Sequence, residues 1–175
     1  MSALLRFLGL KTAPTAAADA GETETVRRIA ARLDQLDPQI AKYLAAFAYV
    51  LARVAHADLE IDESETREMQ EVVARVGRLG EEEAILAVEI AKSQARVLGG
   101  TENYVVTREF RRISSPEQRG QLLECLYAVA AADGSISSVE AQEIQSVAEE
   151  LGLSRDEAAS VRAKYRDRLS VFQQS

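Results

Sequence analysis

Apolar residues recur at helical spacing through most of the chain and almost nowhere alternate in the way of a β-strand. The clearest stripe, with members three or four positions apart, consists of Ile40, Leu44, Phe47, Leu51 and Val54. A second stripe of the same spacing consists of Leu122, Leu126 and Val129. Such stripes are typical of amphipathic helices that pack on a shared core. The pattern predicts helices over 23–35, 38–57, 63–77, 81–98, 102–113, 116–132, 138–151 and 155–172.

Capping residues support these boundaries. Asp37-Pro38 and Ser115-Pro116 each place a capping side chain before a proline at the first helical position. Three further starts fit a capping box, in which the first side chain and a glutamate three residues on bond each other's backbone N–H groups. These pairs are Asp62 with Glu65, Ser137 with Glu140, and Ser154 with Glu157. Gly99-Gly100 and Gly152 predict helix ends.

The chain also repeats itself. Residues 54–77 laid over residues 129–152, at an offset of 75, give ten identities in 24 positions, where about one or two arise by chance. The identical pairs include Asp58 with Asp133, Ile61 with Ile136, Glu65 with Glu140, Gln70 with Gln145 and Gly77 with Gly152. After a one-residue adjustment, residues 81–84 lie over residues 155–158. We therefore predict an all-α fold: a compact bundle of seven or eight helices built from two pseudo-repeated three-helix units.

The first residues differ in character from the rest. Residues 12–21, TAPTAAADAG, have the composition of a linker, and an apolar arm precedes them. We predict that residues 1–21 are arm and flexible linker and that residues 22–175 form a single helical domain. The apolar residues of the arm are Leu4, Leu5, Phe7, Leu8 and Leu10. Residues 3–10 either rest on the body of the protein or anchor it peripherally to a membrane or in a homodimer.

Charge and cysteine content narrow the classes of function. The net charge of −7 excludes nucleic acid as an expected partner, because phosphate binding needs a basic surface. Residues 58–89 hold 11 acidic and 3 basic residues, a net charge of −8, so the rest of the chain carries a net charge of +1. One cysteine and no signal sequence indicate a cytoplasmic protein. A single histidine, His56, and that single cysteine, Cys125, offer no pair for nucleophilic catalysis, so we expect no enzyme.

The repeated segment ADGSISSVE, residues 132–140, resembles half of a calcium loop. If Asp133 takes position 5 of an EF-hand loop, then Gly134 and Glu140 fall at positions 6 and 12, as required. Positions 1 and 3 then become Val129 and Ala131, which supply no side-chain oxygen. No single frame fits the first copy either, so an EF-hand is rejected. The simpler interpretation makes Asp133 a turn residue and Glu140 part of a capping box, with no ligand.

The first copy of this connection is far more acidic. The residues Asp58, Glu60, Asp62, Glu63 and Glu65 crowd one helix connection, and only Arg67 lies near in sequence to offset them. Carboxylates so close repel one another, and a divalent cation or a basic partner would relieve the repulsion. The alternative is a solvated helix N-terminus, where the helix dipole favours negative charge.

The paired segments ADLEIDESE, residues 57–65, and ADGSISSVE, each after an alanine-rich apolar helix, resemble the TerB-like domain of tellurite-resistance proteins over roughly residues 36–170. The resemblance implies an all-helical duplicated bundle whose acidic connections bind a divalent metal such as Ca²⁺, Mg²⁺ or Mn²⁺. Carried over to this chain, the implied ligands are Asp58, Glu60, Asp62 and Glu65 in the first copy, and Asp133 and Glu140 in the second. It also implies a non-enzymatic stress-response role at the cytoplasmic membrane face with an unidentified protein partner.

The sequence therefore leaves two candidate functions from different classes. The first is a TerB-like module for tellurite resistance or stress response that binds a divalent metal, or a partner, through residues 58–65. The second is a structural scaffold or oligomerising module, similar in role to a co-chaperone, in which the paired Asp and Glu residues serve only helix capping.

Overall fold

The computed structural model describes residues 20–55, 63–95, 103–132 and 134–173. Across these residues the chain forms nine α-helices and no β-strand. Their bounds are α1 (Ala20–Asp34), α2 (Pro38–Ala55), α3 (Glu63–Gly77), α4 (Glu81–Ala95), α5 (Asn103–Ile113), α6 (Pro116–Ala130), α7 (Ser138–Glu150), α8 (Arg155–Ala163) and α9 (Ser170–Gln173). A 3₁₀ turn, Arg166–Arg168, separates α8 from α9. The predicted all-α class is confirmed, whereas the division into two repeated units stays a prediction.

Helix starts follow the predicted caps. Ser115 accepts the N–H of Gln118 and closes a capping box before Pro116, and Ser154 closes another with Glu157. At the start of α2, Asp37 Oδ1 accepts the N–H of Gln39 at 2.9 Å. The box predicted for Asp62 and Glu65 lies outside the described side chains. These starts are well predicted because a cap is made by residues within one turn of each other.

The predicted last helix, 155–172, is wrong. α8 ends at Ala163, and Leu169 adopts an extended backbone with φ −69° and ψ 122°. Leu169 is 2% exposed and forms a parallel β-bridge with Ile136. Its side chain is buried in the core, and the backbone groups of Arg168 and Ser170 on either side bond to Ile136 instead of continuing the helix. A long-range contact overrides the local helical pattern at this point.

Helix α2 forms the centre of the core. Every residue from Leu44 to Ala52 is at most 1% exposed, and α2 packs against α4, α5, α6 and α7 as well as α1. Its many alanines let these neighbours approach closely. The ring of Phe110 lies 5.2 Å from that of Tyr43 and 6.4 Å from that of Phe47, centroid to centroid, which joins α5 to α2. Aromatic contacts of this kind contribute beyond the area they bury.

Helix α6 organises the second half of the chain. It packs against α3, α7 and α8, and its apolar face is buried from Leu122 to Tyr127. Cys125 lies within that face and is fully buried, and burial raises the pKa of its thiol to about 12. The Tyr127 ring stacks on Tyr165 at 5.6 Å, just after α8 ends.

Helix α7 ends in a Schellman motif at the predicted stop. Gly152 has φ +72°, its N–H donates to Glu149 O at 3.0 Å, and the N–H of Leu153 donates to Ala148 O at 3.1 Å. Only glycine enters this left-handed region without steric cost. Gly77, the residue at the same place in the first half, ends α3 in a helical conformation, and Arg78 takes the positive φ of 53° instead.

Candidate functional site

The candidate site consists of two helix connections, between α2 and α3 and between α6 and α7. Residues 56–62 and Asp133 lie outside the described residues, and so does the side chain of Glu65. The predicted ligands Asp58, Glu60, Asp62, Glu65 and Asp133 therefore stay predictions. Glu140 is the one predicted ligand whose side chain the structure describes.

The second connection turns sharply at Gly134. The N–H of Gly134 donates to Ala131 O at 3.0 Å, and its φ of +103° is a conformation that favours glycine. Two residues later the side chain of Ile136 enters the core and is 1% exposed. The connection is thereby fixed at both its turn and its apolar anchor.

Glu140 closes a capping box with Ser137. Its Oε2 accepts the Ser137 N–H at 2.8 Å, and the Ser137 hydroxyl accepts the Glu140 N–H at 3.2 Å. Both bonds satisfy N–H groups that the first turn of a helix otherwise leaves without a partner. The carboxylate thus has the structural role that the simpler interpretation assigned to it.

The C-terminal segment 165–173 covers the second connection. The N–H of Ile136 donates to Arg168 O at 2.7 Å, and its carbonyl accepts the N–H of Ser170 at 2.9 Å. The side-chain amide of Gln173 donates to the carbonyls of Gly134 and Asp167, at 3.2 and 3.1 Å. Three backbone groups of this connection are consequently already bonded within the chain.

The described residues around the first connection are acidic and exposed. Glu63 begins α3, and Glu68 and Glu71 are also exposed along that helix. On the adjacent helix α4, Lys92 Nζ donates to Thr66 Oγ1 at 2.8 Å, which brings one positive charge to the first turn of α3. The helix N-terminus favours the carboxylates here even without a cation. Among the side chains that the structure describes, no three His, Cys, Asp or Glu residues form a group suited to a metal ion.

Comparison with known proteins decides the family. The sequence profile described as "Tellurite resistance protein TerB" matches residues 43–163, which is 121 of the 175 residues. The chain belongs to the TerB family. Comparison with curated proteins and with solved structures found no match. Both helix connections fall inside the TerB match, whereas α1, the 3₁₀ turn and α9 fall outside it.

The TerB span also contains a charged cluster that sequence reasoning missed. Arg53 of α2 has a side chain only 5% exposed, and it bonds Glu143 and Glu150 of α7 together with Thr107 of α5. Its Nη1 lies 2.7 Å from Glu150 Oε2 and 2.8 Å from Thr107 Oγ1. The signal in the sequence was a lone cation between the apolar residues Leu51 and Val54, where a charge needs partners.

In this TerB chain the ion cluster joins the helix before the first connection to the helix after the second. Arg53 lies two residues before the end of α2 at Ala55, and Glu143 lies one turn after Glu140. Helices α2 and α7 are therefore linked through the buried Arg53 side chain as well as through apolar packing. Within the described ranges, no helix combines the length and apolar character needed to cross a bilayer.

Proposed function

We propose that this TerB-family chain is a non-catalytic module that binds a divalent cation through its acidic connection, residues 58–65, in a tellurite-resistance or stress-response role. The observation that carries the proposal is the charge of that connection: five of its eight residues are Asp or Glu. Oxygen ligands at this density suit the hard cations Ca²⁺, Mg²⁺ and Mn²⁺. Membership of the TerB family supports the proposal.

The contrast between the two connections supports placing the binding at the first one. In the second, serines stand at positions 135, 137 and 138, and Glu140 Oε2 is bonded to the Ser137 N–H. A carboxylate engaged in a cap gives up that bond, worth about 1 kcal/mol, if the same oxygen moves to a cation. We therefore propose that Asp58, Glu60, Asp62 and Glu65 contribute most of the binding, and Asp133 and Glu140 little.

Calorimetric titration with Ca²⁺, Mg²⁺, Mn²⁺ and Zn²⁺ tests this proposal. We expect heat of binding and a raised melting temperature for the wild type, and loss of both for Asp58→Asn with Asp62→Asn. A matched control is Glu68→Gln with Glu71→Gln, which removes the same charge from exposed positions of α3 outside the connection. No heat and no thermal stabilisation of the wild type at millimolar metal would overturn metal binding.

A structural scaffold or oligomerising module is the second candidate, and the capping box at Glu140 favours it. Under this alternative Glu140→Ala lowers the free energy of unfolding by about 1 kcal/mol through the lost cap, in metal-free buffer and in millimolar metal alike. If Glu140 were a ligand, the same substitution would weaken metal binding, and the loss of stability would grow with metal concentration.

A further inference from the structure

An open groove lies between α6 and α8. Its volume is about 430 Å³, and Pro116, Gly120, Leu153 and Val161 give it apolar walls. Asp156 and Glu157, from the first turn of α8, add two exposed carboxylates to its lining. Apolar walls beside acidic residues suit an occupant that is apolar on one face and carries a cation.

Gly120 has no packing role within the described part of the chain. It lies in the interior of α6, where glycine destabilises a helix by about 1 kcal/mol relative to alanine. A Cβ added to Gly120 would meet no atom within 4 Å. The missing side chain leaves room for the close approach of something that is not among the described residues.

The predicted repeat offers a comparison for this groove in the first half of the chain. At the offset of 75, Pro116 and Gly120 correspond to Ala41 and Ala45 of α2, and after the one-residue adjustment Asp156 corresponds to Glu82 of α4. Ala41 and Ala45 are buried, and helix α1 packs against both α2 and α4. The α6–α8 groove has no such covering helix among the described elements.

Helix α1, which packs against α2 and α4, carries two buried apolar side chains and one cation. Ile29 and Leu33, four residues apart, are 2% and 1% exposed. Arg32, directly before Leu33, pairs with Glu82 at 3.3 Å and with Glu89 at 3.3 Å. The occupant of the α6–α8 groove should therefore carry apolar residues at helical spacing and an Arg or Lys that reaches Asp156.

The N-terminal segment of the chain has this composition. Leu4 and Leu8 are four residues apart, Arg6 directly precedes Phe7, and Lys11 follows. The segment brings positive charge to a groove that carries two carboxylates. We propose that residues 4–10 dock in the α6–α8 groove of their own chain, with Arg6 beside Asp156.

The linker lets the arm reach well beyond the start of α1. Residues 11–19 span up to ~30 Å when extended, and a domain of this size has a radius of gyration of roughly 15 Å. A tethered segment also has an effective concentration on the order of millimolar, which favours its own groove over that of a second copy. This proposal goes beyond metal binding and does not depend on it.

Fluorescence of a tryptophan placed in the arm tests the docking. The chain has no tryptophan, so Phe7→Trp in the full chain introduces a single reporter. Docking predicts blue-shifted emission and weak quenching by acrylamide. Gly120→Met, which fills the groove, should expose the reporter, and circular dichroism checks that this variant remains folded.

A charge reversal gives a second variant that does not depend on filling the groove. Asp156→Arg should raise the acrylamide quenching constant by about twofold or more, in line with the loss of one exposed ion pair. Adding Arg6→Glu should restore the original value. Glu71→Arg is the matched control, because it makes the same charge change at an exposed site on α3 and should leave the reporter unchanged.

Three results would overturn the proposal. The first is full exposure of the tryptophan in both single variants, Phe7→Trp and Leu8→Trp, with the rest of the chain unchanged. The second is a protected reporter that responds to neither Gly120→Met nor Asp156→Arg. The third is protection that vanishes on dilution while sedimentation shows a dimer dissociating, since that places the segment in the groove of a second copy.

Discussion

Arg53 of α2 and Glu150 of α7 form a two-point ion pair inside the protein, with Nη1–Oε2 at 2.7 Å and Nη2–Oε1 at 3.3 Å. Glu143 completes the cluster from one side and Thr107 from the other. The Arg53 side chain is 5% exposed and that of Glu150 17%, so water screens the pair little. The cluster fixes how α2, α5 and α7 meet.

Removal of the arginine should be strongly destabilising. Arg53→Met leaves the carboxylates of Glu143 and Glu150 without their cation, and we expect a loss of about 3–5 kcal/mol in the free energy of unfolding. Urea unfolding at pH 7 measures the loss. Arg78→Met is the control, because Arg78 pairs with Glu117 on the surface and should contribute less than about 1 kcal/mol. Equal losses in the two variants would contradict the structural role of the cluster.

The C-terminal segment should contribute to stability through Leu169. Truncation in Leu169→Ala removes a side chain that is 2% exposed, and we expect a loss of about 2–4 kcal/mol. Val171→Ala is the control: Val171 is 62% exposed, so this substitution should change the free energy of unfolding by less than about 0.5 kcal/mol. Hydrogen exchange of the Ile136 N–H should accelerate in the first variant only. Unchanged protection of that N–H would count against the bridge.

Acid should weaken the contact between α2 and α5. The Arg112 guanidinium and the Lys42 ammonium lower the pKa of Glu109 to about 2. A carboxylate whose pKa is lower in the folded state adds stability above its unfolded pKa of about 4.3, and that stability is lost as the pH falls toward 2. Since solvent screens part of the effect, we expect about 1 kcal/mol. The difference in unfolding free energy between wild type and Glu109→Gln should shrink over this range, and a constant difference would refute the assignment.

The end of α7 should require glycine. Gly152→Ala forces alanine into a positive φ, and its Cβ would meet Arg111 Cζ at 2.5 Å. We expect a loss of about 1–3 kcal/mol in thermal or urea unfolding. The exposed Arg111 side chain can move aside, so the same substitution in an Arg111→Ala background should lose nearly as much stability, because the backbone strain remains. Full recovery would show that the left-handed backbone contributes nothing.

The sequence predicts the helix boundaries that depend on neighbouring residues, but not the features that depend on contacts between residues far apart in the chain. The caps at Asp37, Ser115, Ser137 and Ser154 each act within one helical turn, and the helix starts followed from them. The break in the predicted last helix follows from the bridge between Leu169 and Ile136, which lie 33 positions apart. The partners of Arg53 lie 54 to 97 positions away.

The candidate site was predictable in part for the same reason. Glu140 was identified as a capping residue from its spacing to Ser137, and the structure confirms the box. The backbone bonds that the C-terminal segment makes to the second connection had no local signal, because α9 follows Gly134 by more than thirty residues. The acidity of residues 58–65 is read from the sequence alone, and the binding of a divalent cation by these residues stays a prediction.

The burial of Cys125 has a practical consequence. It is the only cysteine in the chain, and burial raises the pKa of its thiol to about 12, so maleimides and spin labels should leave it unmodified in the folded protein. A cysteine introduced at any exposed position should then be the only reactive thiol. Pairs of such labels would let interhelical distances be measured by spectroscopy in solution without removing a native residue.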